Sequence, residues 1–398
     1  MRALFLENVH PMASSILRDA GVEVETSDSA LGEADLLDAL DGVDLLGIRS
    51  KTEVTAKVLD AHPGLLGIGA FCIGTNQIDL STGTEHGVAV FNAPFSNTRS
   101  VVELAIANII GMARHLTDRN RALHAGVWDK SAAGSHEVRG RRLGIVGYGN
   151  IGSQLSVVAE MLGMQVYFYD TDDKLALGNA RRCSSLGELL DSVETVTLHV
   201  DGRPGNAGFF GAEQFARMRP RSLFLNLSRG FVVDYAALRD SIESGHLAGA
   251  AVDVFPNEPK RRGEAFESPL RGLPNVILTP HVGGSTEEAQ EDIGRFVGTK
   301  LRDYVQSGNT SLSVNLPTLA PGRSDHAQRI AHIHQNTPGV LAEVNQILAG
   351  HDVNIGAQHL ATRGHTGYVV TDTDSTVSED VLGDLATIPG TTRLRVLE

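Results

Sequence analysis

The run Leu143-Gly144-Ile145-Val146-Gly147-Tyr148-Gly149-Asn150-Ile151-Gly152 restricts this chain more than any other segment. An apolar stretch that reads as a buried strand ends in Gly-x-Gly-x-x-Gly. Apolar residues then recur at helical spacing (Leu155, Val158, Ala159, Leu162), and a second strand, Gln165 to Tyr169, ends on Asp170. Such a unit binds a dinucleotide. Gly147 permits the tight turn, Gly149 lets backbone approach a pyrophosphate, and Gly152 lets helix pack close to strand. The helix start at Asn150 and Ile151 offers unpaired N–H groups and a positive dipole end to the phosphates. Asp170 is placed to accept from a ribose diol and to repel a 2′-phosphate, and Thr171-Asp172-Asp173 adds no arginine to welcome one. The expected cofactor is therefore NAD rather than NADP.

The chain has 398 residues, enough for two or three domains, and its 41% hydrophobic and 21% charged content suits a globular protein. A net charge of −14 and the absence of a basic run argue against nucleic acid as a partner. Cys72 and Cys183 lie far apart and form no metal-ligand or disulfide pattern, so no metal is expected and a reducing compartment is. The amino terminus begins as a strand without a secretory pattern, and no apolar run reaches membrane-spanning length. The expectation is a cytoplasmic protein with no membrane partner.

Short strands and helices alternate through the first hundred residues and again from about Arg142 to Thr279, as in parallel sheets covered on both faces. A helix from Thr286 to about Val305 is expected to return the chain to the first domain. Gly308 to Asp325 is rich in Pro, Gly, Ser and Thr and reads as a linker. The last seventy or so residues give the βαββαβ order of a ferredoxin-like domain. The fold class is thus α/β: two doubly wound parallel-sheet, Rossmann-like domains and a C-terminal ferredoxin-like domain. The expected division is 1–97 with 285–315 for substrate, 98–284 for NAD, 316–325 as linker and 326–398 as regulatory domain.

Oxidation of a hydroxy acid by NAD needs a cation for the carboxylate, a base for the hydroxyl proton and an acid beside that base. Three residues after the glycine motif follow strand-like runs, where open α/β sheets bind ligands. Arg229, in Leu225-Asn226-Leu227-Ser228-Arg229-Gly230, can bind a carboxylate bidentately. His281, in Leu278-Thr279-Pro280-His281, can take a proton near neutral pH, and Glu258 can fix its tautomer. Each alone has an ordinary structural explanation; together, behind a complete dinucleotide motif, they point to catalysis.

These residues resemble the D-isomer-specific 2-hydroxyacid dehydrogenase family. So do Phe71-Cys72-Ile73-Gly74-Thr75-Asn76-Gln77, Phe91-Asn92-Ala93-Pro94-Phe95-Ser96-Asn97-Thr98-Arg99-Ser100, Gly126-Val127-Trp128 and Ala251-Val252-Asp253-Val254-Phe255-Pro256. The resemblance covers essentially the whole chain and is strongest to the branch that oxidises 3-phospho-D-glycerate to 3-phosphohydroxypyruvate in serine synthesis. It implies catalytic Arg229, Glu258 and His281, with His281 as proton acceptor. It also implies Asp253 as a further cofactor residue, Arg49, Ser50, Lys51, Gly74 and Asn97 as substrate residues, and a homotetramer. Other readings are a dehydrogenase of another 2-hydroxy acid such as 2-hydroxyglutarate, and an NAD-sensing binding protein. A sensor has no use for a proton acceptor.

The C-terminal module resembles an ACT domain of the serine-binding type, with the effector positions falling on His334, Asn336 and Asn354. L-Serine is the implied effector, bound where ACT domains of two subunits meet. Two departures from the family stand out. His199-Val200-Asp201-Gly202-Arg203-Pro204 replaces a shorter His-x-Pro, and Arg49-Ser50-Lys51 replaces Arg-Ser-Arg. Lysine keeps the charge and loses the bidentate fork.

Overall fold

The computed structural model describes residues 1–259, 263–322 and 324–397. Residues 260–262 of the expected NAD domain, residue 323 of the expected linker and residue 398 lie outside the described residues. Two compact units form: Met1–Ser96 with Gln290–Glu398, and Asn97–Ala289.

The first unit opens with a parallel sheet of β1 (Arg2–Phe5), β2 (Glu23–Thr26), β3 (Leu45–Ile48), β4 (Gly67–Ala70) and β5 (Ala89–Asn92). Their order is β2-β1-β3-β4-β5. The order reverses between β1 and β3, so the crevice at their carboxyl ends is the ligand position of such a sheet. β3 and β4 are buried along their whole length, as their runs of apolar residues and glycine require. The edge strand β2 buries one residue of four, so it carries no apolar signature in the sequence.

The helix Glu287–Ser307 packs Val297, Leu301 and Tyr304 into the core of this sheet. The next stretch is not a free tether. Asn315 accepts from Val90 N at 2.9 Å and donates to Val88 O at 2.8 Å. Thr310 Oγ1 donates to Pro317 O at 2.7 Å, and Leu316 is fully buried. Asn315 thus serves the edge strand β5, and Thr310 pins the turn that follows it.

The C-terminal module has β13 (Gln328–Gln335), β14 (Ile355–Arg363), β15 (Thr366–Thr373) and β16 (Thr391–Leu397), with helices Val340–Gly350 and Glu379–Thr387. The antiparallel order β14-β15-β13-β16 is ferredoxin-like. Alternation sorts β13 between two cores. Ala331 and Ile333 join Phe91, Leu301 and Tyr304 of the first sheet, and Ile330 joins Val344, Leu348 and Val381 of the module's own helices. The first helix starts at Val340, directly after Gly339, which takes a left-handed φ of 101°.

The second unit is a seven-stranded parallel sheet. Its strands are β6 (Arg142–Val146), β7 (Gln165–Tyr169), β8 (Arg181–Arg182), β9 (Thr195–Leu198), β10 (Ser222–Asn226), β11 (Leu247–Val252) and β12 (Val276–Leu278). The order β12-β11-β10-β9-β6-β7-β8 contains the dinucleotide-binding arrangement, with its reversal between β6 and β9. The helix Thr98–Ala113 covers one face, packing Val102, Ala105 and Ile109 against Leu143, Ile145 and Leu225. No helix among the described residues is long and apolar enough to cross a membrane.

Candidate active site

At the β6–β9 reversal the three glycines meet distinct constraints. Gly147 has φ 91°, and a Cβ there would lie 2.6 Å from His199 O at the end of β9. A Cβ on Gly152 would lie 2.2 Å from Gly147 O, so only glycine lets the helix approach. A Cβ on Gly149 would meet nothing within 4 Å, which leaves open space on the phosphate side of the turn. The helix Asn150–Met161 has no side-chain cap at its N-terminus, so its first N–H groups are available to an anion. His199 bonds Thr197 Oγ1 through Nε2 at 3.0 Å, and its Nδ1 is buried with no partner. Open space, uncapped amides and an orphaned polar atom at one reversal fit a bound dinucleotide.

Asp170, one strand away at the end of β7, accepts from Tyr148 N at 2.7 Å and Asp172 N at 2.9 Å. It ties the glycine turn to the loop after β7. The longer loop after β9 is held by its own ion pair, Arg203 Nη2 to Asp201 Oδ2 at 2.6 Å. A Cβ on Gly202 would come within 3.3 Å of Arg229 Nε, so this loop packs beside the Arg229 side chain.

Arg229, Glu258 and His281 follow β10, β11 and β12, three strands adjacent in the sheet. Gly230 lets the Arg229 turn press on Phe255, whose carbonyl carbon lies 2.0 Å from where a Cβ would be. Asn226, fully buried, braces that turn. Its Nδ2 donates to Arg229 O at 3.0 Å, and its Oδ1 accepts from Ser228 N at 3.1 Å. Glu258 folds back so that Oε1 accepts from Phe255 N at 3.0 Å, which leaves Oε2 2.8 Å from His281 Nδ1. A carboxylate only accepts, so Nδ1 carries the proton and Nε2 presents a lone pair.

The hydrogen bond to Glu258 raises the His281 pKa above the ordinary imidazole value. Burial opposes it, the charges of Glu258 and Asp253 reinforce it, and Arg229 opposes it. For Glu258, burial pushes the pKa up, but hydrogen bonds from His281 and Phe255 N and the charges of His281 and Arg229 outweigh that and leave it lowered. The pair thus holds a proton between an acid of lowered pKa and a base of raised pKa.

Asp253 is buried, and both its oxygens are engaged. It accepts from Thr279 Oγ1 at 2.5 Å, Val282 N at 2.9 Å and Gly283 N at 2.8 Å. The loop carrying His281 is therefore wrapped around this carboxylate. Asn226 and Asp253 act on the site through hydrogen bonds that apolar periodicity does not report; the polar residue closing or following each apolar run was the available signal.

The remaining expected residues fall into separate groups. Arg49, Ser50 and Lys51 follow β3 and Gly74 follows β4, all in the first unit. In the second unit Asn97 begins the helix Thr98–Ala113, lies over Gly284, and buries an Oδ1 without a partner. Of the effector positions, His334 is buried on β13, and its ring lies over Gly367 on the neighbouring strand. Asn336 donates to Gly364 O at 3.1 Å at the same end of the sheet. Asn354 bonds Asp374 at the opposite end, so one chain does not bring the three together.

The profile described as "D-isomer specific 2-hydroxyacid dehydrogenase, NAD binding domain" matches residues 106–283, and "AHAS small subunit-like ACT domain" matches residues 330–393. The D-3-phosphoglycerate dehydrogenase of Escherichia coli K12 is 47% identical over 100% of this chain and 97% of its own length. That of Haemophilus influenzae is 46% identical with the same coverage. Among solved structures, a Thermus thermophilus protein superposes with a TM-score of 0.68 at 29% identity, covering 76% of this chain and 96% of its own. D-2-hydroxyisocaproate dehydrogenase shares the fold at a TM-score of 0.72 and 23% identity, over 79% of this chain and 100% of its own. With a complete dinucleotide site, an acid–base pair at adjacent strand ends and relatives matched along its whole length, the chain belongs to the D-isomer-specific 2-hydroxyacid dehydrogenase family and is an NAD-dependent oxidoreductase with a C-terminal ACT domain.

Proposed function

We propose that the chain oxidises 3-phospho-D-glycerate to 3-phosphohydroxypyruvate, the first step of L-serine synthesis. The observation that carries this reading is the Glu258–His281 pair, with a lone pair on His281 Nε2, beside Arg229. Full-length relatives bearing the name of that activity support the choice of substrate. In this reading Arg229 binds the substrate carboxylate and orients C2. His281 Nε2 accepts the hydroxyl proton, and Glu258 holds the resulting imidazolium. Bound NAD supplies the hydride acceptor. Gly147, Gly149, Asn150, Ile151, Gly152 and Asp170 bind its phosphates and ribose, with Asp253 as a further cofactor residue that also holds the His281 loop. Arg49 and Lys51 take the substrate phosphate, with Ser50, Gly74 and Asn97 as further substrate residues.

L-Serine is the proposed effector of the ACT domain. His334 and Asn336 lie at one end of its sheet and Asn354 at the other, which suits a site completed by a second chain and a homotetrameric enzyme. A cytoplasmic location belongs to the same proposal. The test is an NADH-coupled assay across 3-phosphoglycerate, 2-hydroxyglutarate and D-lactate, each with and without L-serine. The highest kcat/KM is expected for 3-phosphoglycerate, with loss of rate at millimolar serine. A higher kcat/KM for 2-hydroxyglutarate overturns the substrate, and a flat serine titration without calorimetric binding overturns the effector.

A further inference from the structure

In the first unit the loop after β3 is held by a residue that none of the preceding assignments uses. Glu7, two residues past the end of β1, is buried, at 7% exposure. Its carboxylate accepts from three successive backbone amides: Ser50 N at 3.1 Å, Lys51 N at 3.0 Å and Thr52 N at 2.8 Å. From the other side Gln77 Nε2 donates to Arg49 O at 2.6 Å. Glu7 and Asn8 both take left-handed backbone, φ 64° and 53°. Side-chain-bearing residues adopt that conformation at a cost, and two in succession need a reason. The turn is fixed by Glu7 N to Ser29 O and Asn8 N to Ser27 O, and it aims the carboxylate across the β1–β3 reversal. The Arg49 and Lys51 side chains have no ion-pair partner among the described residues.

We propose that Glu7 is a positioning residue that fixes Arg49 and Lys51 so that the enzyme distinguishes phosphorylated from unphosphorylated hydroxy acids; this rests on the phosphate role given to those two residues above. Three consecutive loop amides would themselves form an anion-binding concavity. Glu7 fills it from inside the protein. The backbone is thereby closed to the substrate phosphate, and recognition passes to two side chains whose attachment points are fixed. Without the carboxylate the concavity opens, and a phosphate bound there is drawn off the position that presents C2 for oxidation.

The test compares intact wild type, Glu7→Gln and Glu7→Ala with 3-phosphoglycerate and with D-glycerate, the same acid without its phosphate. Glu7→Gln keeps the shape but turns an NH2 towards N–H donors. Its KM for 3-phosphoglycerate should rise about tenfold or more, the equivalent of one lost charge-assisted hydrogen bond, with a change under about threefold for D-glycerate and for NAD. Acetate or formate should restore part of the loss in Glu7→Ala by filling the vacated concavity, which a general folding defect would not allow. Equal KM changes for both acids, or none, overturn the proposal. Arg49→Ala and Lys51→Ala separate the two levels. If they leave the preference for the phosphorylated acid intact, the phosphate reading itself fails; if they abolish it and Glu7→Gln does not, only the role of Glu7 fails. Should both Glu7 variants fail to fold, hydrogen exchange on the wild type decides. Slow exchange at the amides of the exposed residues Ser50 and Lys51 is expected, and exchange at free-loop rates refutes the contact.

Discussion

Replacing Glu258 by glutamine tests the acid–base pair most sharply, because the two oxygens of this carboxylate do different jobs. Oε1 accepts from Phe255 N and Oε2 accepts from His281 Nδ1. Glutamine has one acceptor and one donor end. With its oxygen on Phe255 N, the NH2 faces Nδ1, which must then become the acceptor. The proton moves to Nε2, and the nitrogen that should receive the substrate proton no longer can. With its oxygen on Nδ1, the NH2 faces the Phe255 amide, and two donors oppose each other at a cost of about 1–3 kcal/mol. The first arrangement is favoured and holds the wrong tautomer. A comparable exchange of an acid beside a catalytic histidine costs about 10⁴-fold in kcat where the site is enclosed. Here the His281 and Glu258 side chains are 50% and 37% exposed, so water offers alternative partners. A loss of about 10²- to 10³-fold is therefore the expected range. Glu258→Ala leaves both tautomers open and should lose less.

The pH profile supplies an independent sign. Oxidation needs neutral His281, so kcat/KM falls on the acid side as His281 protonates. Glu258 raises the His281 pKa, so removing its charge lowers that pKa and moves the acid limb to lower pH. The reverse reaction needs the imidazolium, and its alkaline limb must move down as well. Stopped-flow rates in both directions across pH measure this. Unchanged kcat in Glu258→Gln, or an acid limb displaced upward, refutes the pairing.

Three further outcomes are expected. His281→Ala should lower kcat by about 10²- to 10⁴-fold with NAD affinity, measured by calorimetry, nearly unchanged, because His281 is remote in the sheet from the glycine turn. Asp170→Ala should weaken NAD binding and raise the NADP/NAD ratio of kcat/KM, since the carboxylate that repels a 2′-phosphate and ties Tyr148 N is lost; an unchanged ratio counts against that role. Asn336→Ala and Asn354→Ala should each weaken serine inhibition with little effect on the uninhibited rate, and retention of full inhibition by both would remove the effector assignment.

Much of this architecture is legible in the sequence because burial and periodicity coincide in it. β3, β4 and β10 are buried at every position, and β3, β4 and the Leu223-Phe224-Leu225 centre of β10 read as apolar runs. Elements at the margin are silent. β8 is two exposed arginines on an edge, and the helix Leu116–His124 buries no residue, so neither shows an apolar rhythm. The same limit applies to the site. Arg229, Glu258 and His281 can be picked out because each follows a recognisable strand. Of the groups that aim them, Asp253 is reached only through the family resemblance and Asn226 and Glu7 not at all, since all three act by hydrogen bonds whose partners a linear pattern does not pair. The Pro, Gly, Ser and Thr content of Gly308–Asp325 reads as a linker, and it does not report that Ser313 and Asn315 bond the backbone of β5.

Backbone strain recurs at the ligand end of each unit taken by itself. Among the described residues, eight non-glycine residues have positive φ. Arg221 and Asn275 lie before β10 and β12, at the amino ends of their strands, where no ligand is expected. Each has a structural partner there, Arg221 N on His246 O at 2.6 Å and Asn275 N on Asp118 Oδ2 at 2.6 Å. Glu7, Asn8 and His281 lie instead after the last residue of a parallel strand, at the functional end. His281 has φ 54° because Asp253 gathers Thr279, Val282 and Gly283 around itself and leaves the two residues between, Pro280 and His281, to make the turn. Glycine would make that turn without strain, but it has no imidazole. The left-handed conformation costs a side-chain-bearing residue about 1–3 kcal/mol, and it persists because the buried Asp253 network over-determines the loop. In both units, then, a buried carboxylate and a strained turn are joined at a strand's carboxyl end: Glu7 supplies both itself, while Asp253 imposes the strain on His281.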